Sequence, residues 1–323
     1  MESFETRIDL GSIRQTADTL KFEIGKYIIG QQQTLDLLLI AMLADGHVLL
    51  EGVPGVAKTL MSKLLAKTIN AKFKRIQFTP DLMPSDIIGT MVYNAKTGDF
   101  DFKRGPLFAN IVLTDEINRA PAKTQAALFE AMEERQITVD GTTHILEKPF
   151  MVMATQNPIE QEGTYRLPEA QLDRFLFKIE VSYPNLEEEK QILKTFHVQK
   201  NVVDFDSIKG FLSPTDIAKL RAIVQQVHIE DNLVNYIAQI VHETRSHNAI
   251  LLGASPRASL AIMNAAKACA TLRGRDFISP DDVKYVTPHV LKHRIILTPE
   301  KEMEGVHVTE VINMVIDKIE IPR

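Results

Sequence analysis

Apolar positions follow two rhythms along the chain. Up to about residue 186, short apolar runs alternate with stretches in helical spacing, and beyond Pro184 the spacing is helical almost throughout. The runs His47 to Leu50, Lys74 to Phe78, Ile111 to Leu113, Phe150 to Thr155 and Phe177 to Val181 are too brief for helices and read as strands. Residues 12 to 26, Gln31 to Ala44, Thr59 to Ile69 and 121 to 134 carry helical spacing, the last with Leu128, Ala131 and Met132 on one side. Strands alternating with helices predict an α/β unit built on a parallel sheet.

Two stretches interrupt this alternation. Residues 79 to 110 are broken by Pro80, Pro84, Gly89, Gly98, Gly105 and Pro106, and the piece around AKTGD carries a hairpin signal. ITVDGTTHIL reads as a second hairpin, because Asp140–Gly141 lies between two β-branched runs. After residue 186, helices are expected to start near Glu187, Thr215, Asp231, Pro256, Pro280 and Thr309. The segments SPTD (213–216), SPR (255–257) and SPDD (279–282) each put proline where a helix begins. The chain is therefore divided into an α/β part, 1–186, and a helical part, 187–323.

Composition excludes more than it assigns. With 45% apolar and 24% charged residues over 323 positions, each part can bury a core of its own. A net charge of -5 gives no reason to expect a nucleic-acid binder. The single cysteine, Cys269, lies in an apolar helical run and fits a reducing compartment. The opening MESFETRIDL is too polar for a signal peptide, and no apolar run approaches the ~18 residues a membrane span needs. These features lead us to expect a cytoplasmic protein without direct membrane insertion.

The candidate chemistry sits at strand ends. GVPGVAKT, residues 52–59, follows the first strand and opens a helix, the context of a phosphate-binding (Walker A) loop. Gly52 and Gly55 let the backbone turn its amides toward phosphates, Lys58 can reach the β- and γ-phosphate oxygens, and Thr59 can offer its hydroxyl to Mg²⁺. Ala57 stands where the pattern asks for glycine, and its methyl is expected to be tolerated through a helical, negative φ. IVLTDE ends the third strand with two acids (Walker B). Asp115 is the expected Mg²⁺ carboxylate, and Glu116 the group that polarises the attacking water.

Four stretches carry a resemblance that covers nearly the whole chain: GVPGVAKT (52–59), LTDEINRAPAKTQAALFEAMEERQITVDG (113–141), ATQNPIEQEGTYRLPEAQLDRF (154–175) and GASPRAS (253–259). With these the chain resembles the MoxR family of AAA+ ATPases. The resemblance implies a P-loop NTPase sheet of order 5-1-4-3-2 flanked by helices, with an all-helical C-terminal lid and nucleotide bound between the two. It implies ATP or ADP with Mg²⁺ as cofactors. Val53, Pro54, Val56 and Leu60 join the phosphate-loop residues as nucleotide contacts, and Ile28 and Ile29 in YIIGQ lie beside adenine. Asn157 corresponds to the polar residue that senses γ-phosphate. Arg174 corresponds to the arginine finger used in trans, and Arg257 to the lid arginine that contacts phosphate within its own subunit. Arg119 is a further candidate at the subunit boundary.

The same resemblance implies a ring of self-associated subunits, a hexamer by family habit. It also implies chaperone-like maturation of a protein client, with a von Willebrand factor A domain protein as partner. The inserts at about 79–104 and 135–147 correspond to elements that face the pore or client in related rings, and they equally read as surface hairpins. Phe100 and Phe102 read as packing or as a client-facing edge. A nucleic-acid motor and a metal-chelatase-type subunit share this core and stand as alternatives, with nucleic acid disfavoured by charge. The pairs His289/His293 and His242/His247 lack the further ligands a zinc site needs, and LKHRI is too short to mark a nucleic-acid surface.

Overall fold

A computed structural model of the chain describes residues 11–158, 165, 167–198, 205, 208 and 210–322. Two helices, α1 (Gly11–Gly25) and α2 (Gln32–Leu43), lead into β1 (Val48–Glu51), the phosphate loop and α3 (Lys58–Thr68). Next come β2 (Phe73–Gln77), a short α4 (Pro84–Ile88), the hairpin β3 (Gly89–Asn94) and β4 (Asp99–Arg104), then β5 (Ile111–Asp115) and α5 (Ala122–Glu134). The second hairpin, β6 (Gln136–Val139) and β7 (Thr142–Ile145), precedes β8 (Met151–Gln156), α6 (Glu169–Leu172) and β9 (Phe177–Glu180).

Strands β1, β2, β5, β8 and β9 form one parallel sheet in the order β2-β5-β8-β1-β9. Counted as five core strands, that is the expected 5-1-4-3-2. Alternation along each strand divides the apolar side chains between two faces. Val48, Leu50, Ile111, Leu113, Met151 and Met153 pack toward α2 and α3, while Leu49, Val112, Val152 and Ala154 pack with Leu128, Phe129 and Met132 of α5. β5 is buried along its whole length, so its exit at Asp115 delivers two carboxylates out of a fully buried strand.

The remainder is α7 (Leu186–Val198), α8 (Pro214–Gln226), α9 (Asp231–Glu243), β10 (Ile250–Leu252), α10 (Pro256–Leu272), α11 (Pro280–Leu291), β11 (Ile296–Leu297), α12 (Pro299–Met303) and α13 (Val308–Lys318). Proline begins α8, α10 and α11 as predicted, and Ser213–Asp216 and Ser279–Asp282 close capping boxes. The C-terminal region is not wholly helical: β10 and β11 pair antiparallel as a small ribbon. Strands of three and two residues are too short to leave a period in the sequence. The apolar layer on the α3 side runs without a break from Leu20, Leu38 and Leu65 into Ile240, Ala265 and Val286, so the helical part shares a core with the α/β part.

Candidate nucleotide site

The carboxyl ends of the parallel strands gather the predicted chemistry at one edge of the sheet, the place where open α/β sheets bind ligands. β1 ends at Glu51, and the loop turns over the sheet before α3. At Gly52 a Cβ would lie 2.5 Å from the Val181 carbonyl oxygen, so the approach of the chain after β9 excludes any side chain there. Gly55 has φ 90° with open space around its Cα, so conformation alone requires glycine. Ala57 corrects the expectation of a helical φ: it is left-handed, with φ 60° and ψ 20°, immediately before the first helical residue. Alternating backbone hands turn successive N–H groups toward one point, and that is why the motif favours glycine at this position. Alanine meets the same requirement with a strained backbone.

The Lys58 ammonium donates to the Gly52 carbonyl at 2.5 Å, folding back over its own loop. Burial pushes its pKa down, opposed by Asp115, Glu116 and Glu51. The acids are held from two strands. Asp115 accepts from Thr155 Oγ1 at 3.1 Å and pairs with Arg75 Nε at 2.5 Å. Glu116 is also left-handed, φ 57°; its N–H donates to Thr155 Oγ1, and its carboxylate accepts from Gln77 Nε2 at 2.8 Å and pairs with Arg119 at 3.0 Å. Asn157 follows directly after β8, the neighbour of both β1 and β5. Thr59 lies in the first turn of α3. A threonine hydroxyl with a carboxylate is an oxygen-only donor set, which suits Mg²⁺. Among the described residues no three His, Cys, Asp or Glu cluster into a metal site.

Beside the loop lies a cavity of about 190 Å³ lined by Ile28, Ile29, Gly55, Val56, Ala57 and Leu60. Tyr27, Gln31, Pro184, Ile192 and Phe196 complete it. Ile192 and Phe196 stand four apart on α7, a spacing that could have suggested one face, but nothing local says what that face covers. Gln31 is fixed by its bonds to the Ser182 carbonyl and to Thr34.

Arg174 and Arg257 lie elsewhere. Arg174 donates to the Phe129 carbonyl at 2.7 Å and approaches Glu133 at 3.8 Å, and Arg257 pairs with the same Glu133 at 2.7 Å. Glu133 belongs to the last turn of α5, a helix about 20 Å long that runs away from Asp115 and Glu116. A phosphate contact of Arg257 inside its own subunit is therefore not the arrangement found; the lid places it beside Arg174 instead. The segment carrying Arg174 is fixed by Arg294, which pairs with Asp173 at 2.6 Å and donates to the carbonyls of Asp173, Phe175 and Leu176. Sequence reading passed over Arg294 as part of a short basic run.

Comparison with known proteins places the chain in a family. The ATPase family associated with various cellular activities (AAA) matches residues 47–177, and the AAA lid domain matches residues 242–315. The fold and site define a P-loop ATPase of the AAA+ class. The chain is 49% identical over 299 residues to the uncharacterized protein YeaC of Bacillus subtilis, covering 93% of this chain and 92% of that one. It is 45% identical over 317 residues to chaperone MoxR1 of Mycobacterium tuberculosis, covering 95% and 83%. It is 30% identical over 335 residues to protein MoxR of Methylorubrum extorquens, covering 96% of each. A crystal structure of a candidate ATPase from Cytophaga hutchinsonii superposes with TM-score 0.89 at 43% identity, covering 97% of both chains. The chain belongs to the MoxR family of AAA+ ATPases.

Proposed function

We propose that the chain hydrolyses ATP with Mg²⁺ at sites shared between neighbouring subunits of a ring, and uses the cycle to remodel or mature a partner protein complex. Gly52 to Leu60 bind the phosphates, with Ile28 and Ile29 beside adenine. Thr59 and Asp115 hold Mg²⁺, Lys58 neutralises phosphate charge, and Glu116 with Asn157 orients the attacking water. Bound Mg²⁺ draws off negative charge from the phosphates. The observation that carries the reading is the convergence of Lys58, Asp115 and Glu116 at one sheet edge, with Glu116 held ready by Gln77.

Arg174 and Arg257 support the ring reading. Both lie by Glu133 in the last turn of α5, the end remote from Asp115 and Glu116, so as phosphate contacts they serve a neighbour's nucleotide. A contact between unlike surfaces closes into a ring when its rotation closes, and six subunits are proposed from the family. The remodelling role takes its support from the relative named chaperone MoxR1. A von Willebrand factor A domain protein is the partner class proposed.

The test is turnover and binding on three variants. E116Q is expected to keep ATP binding while losing at least about 100-fold in turnover. K58A is expected to lose nucleotide binding. R174A is expected to bind ATP normally yet lose about 10³-fold in turnover at concentrations where wild type assembles. Normal hydrolysis by E116Q sinks the catalytic assignment, and strong stimulation of wild type by DNA or RNA favours the nucleic-acid motor.

A further inference from the structure

Arg75 belongs to none of the motifs. It lies on β2, the edge strand, on the same face as Gln77. Its Nε meets Asp115 Oδ2 at 2.5 Å, and its Nη2 donates to Gln77 Oε1 at 3.3 Å. Gln77 passes the contact on to Glu116 through its amide nitrogen at 2.8 Å. One guanidinium on an edge strand thus reaches both site carboxylates, one directly and one through an amide.

The two ends of this arrangement differ in exposure. The Asp115 side chain is 11% exposed, while that of Arg75 is 50% exposed. A buried carboxylate needs a counter-charge. A half-exposed arginine on an edge strand can supply one and can also swing away into water, because its charge remains hydrated there. Thr155 Oγ1 donates to the other oxygen, Oδ1, and also accepts from the Glu116 N–H, so that side of Asp115 is fixed by the core strand β8. Only Oδ2, the oxygen held by Arg75, is bonded through a group free to leave.

We propose that Arg75 is the resident counter-ion of Asp115, exchanged for the divalent cation when metal–nucleotide loads. It sets the metal affinity of the site by competing for Oδ2. This rests on the reading of Asp115 as the metal carboxylate. Arg75 acts through Asp115 and is a positioning residue. Because it also holds Gln77, its departure changes what Gln77 Oε1 bonds to, and so links metal loading to the partner of Glu116.

The test is Mn²⁺ binding to the full chain saturated with ADP, followed by electron paramagnetic resonance of the free ion, in wild type, R75Q, R75K and D115N. Losing one charge-assisted hydrogen bond at a half-exposed position is expected to tighten Mn²⁺ binding in R75Q by about five- to tenfold, with R75K near wild type. ADP affinity in the presence of EDTA, read by fluorescence of a labelled nucleotide, is expected to match wild type in R75Q and so reports an intact fold. Unchanged or weaker Mn²⁺ binding in R75Q overturns the proposal, as does R75K behaving like R75Q. If D115N binds Mn²⁺ as wild type does, the reading of Asp115 fails instead, and that result is separate from the R75Q comparison.

Discussion

Ala57 and Glu116 both adopt left-handed backbone at the reacting edge, and neither is glycine. An L-residue in that conformation costs about 1–2 kcal/mol, and the surrounding loop and strand must hold it there. A57G is therefore expected to raise unfolding stability by about 1 kcal/mol, read from urea denaturation of the nucleotide-free chain. A decrease would mean that the alanine methyl contributes more by packing, since Ala57 lies against the apolar layer on the α3 side. The residue types at this edge were legible in the sequence because phosphate chemistry demands them in a fixed order. The hand of Ala57 was not, because a single letter does not report φ. Arg75, Gln77 and Arg294 were missed for a related reason: each acts across strands or between the two parts of the chain, and no local spacing marks such a contact.

Among the elements, the two inserted hairpins prove to be joined. Phe102 of β4 stacks on His144 of β7 with ring centroids 4.5 Å apart, and Phe108 meets both rings edge-on. Phe102 is thus packing, whereas Phe100 is 64% exposed and lies against Tyr93. Both hairpins were readable from turn chemistry, but their junction was not, since the rings lie 42 positions apart in sequence and share no pattern. F102A is expected to speed amide exchange in Thr142–Ile145 as well as in its own hairpin. An aromatic contact contributes about 0.5–1.5 kcal/mol beyond burial, so the change should be about two- to twelvefold. Faster exchange in β3 and β4 alone would show that the hairpins open independently. The ribbon β10–β11 and the five-residue α12 escaped the sequence through shortness, and α8, α10 and α11 were plain because serine and proline mark their starts.

For the whole molecule, buried histidines tie stability to pH. His47 accepts from the Val152 N–H through Nδ1 and so donates through Nε2 to the Met132 carbonyl, and its neutral ring braces β8 against α5. Burial pushes its pKa well below the usual histidine range, as it does for His293, and lowers His289 to about 4. The unfolded chain protonates near pH 6.5 while the folded chain does not, so it binds more protons as pH falls. Stability is therefore full above about pH 6.5 and lost below it, by up to about 1.4 kcal/mol per pH unit for each such ring. Urea midpoints are expected to fall between pH 7 and pH 5, and less steeply in H293Q, whose amide can still donate to the Phe175 carbonyl. A slope unchanged by that substitution would remove His293 from the account.

The α5 helix that separates Glu133 from Asp115 has a consequence for mixtures. In the proposed ring, a chain whose phosphate loop and whose arginines lie at opposite ends contributes half of two different active centres. Damage to one end then leaves the other fully usable by a different molecule. K58A and R174A are each expected to be inactive alone. Combined in equal amounts they should complement one another, because an R174A chain with a sound loop can be served by the arginine of a K58A chain. Random head-to-tail mixing makes about a quarter of the junctions whole, so about a quarter of the normal turnover should return, and return only when both proteins share one vessel.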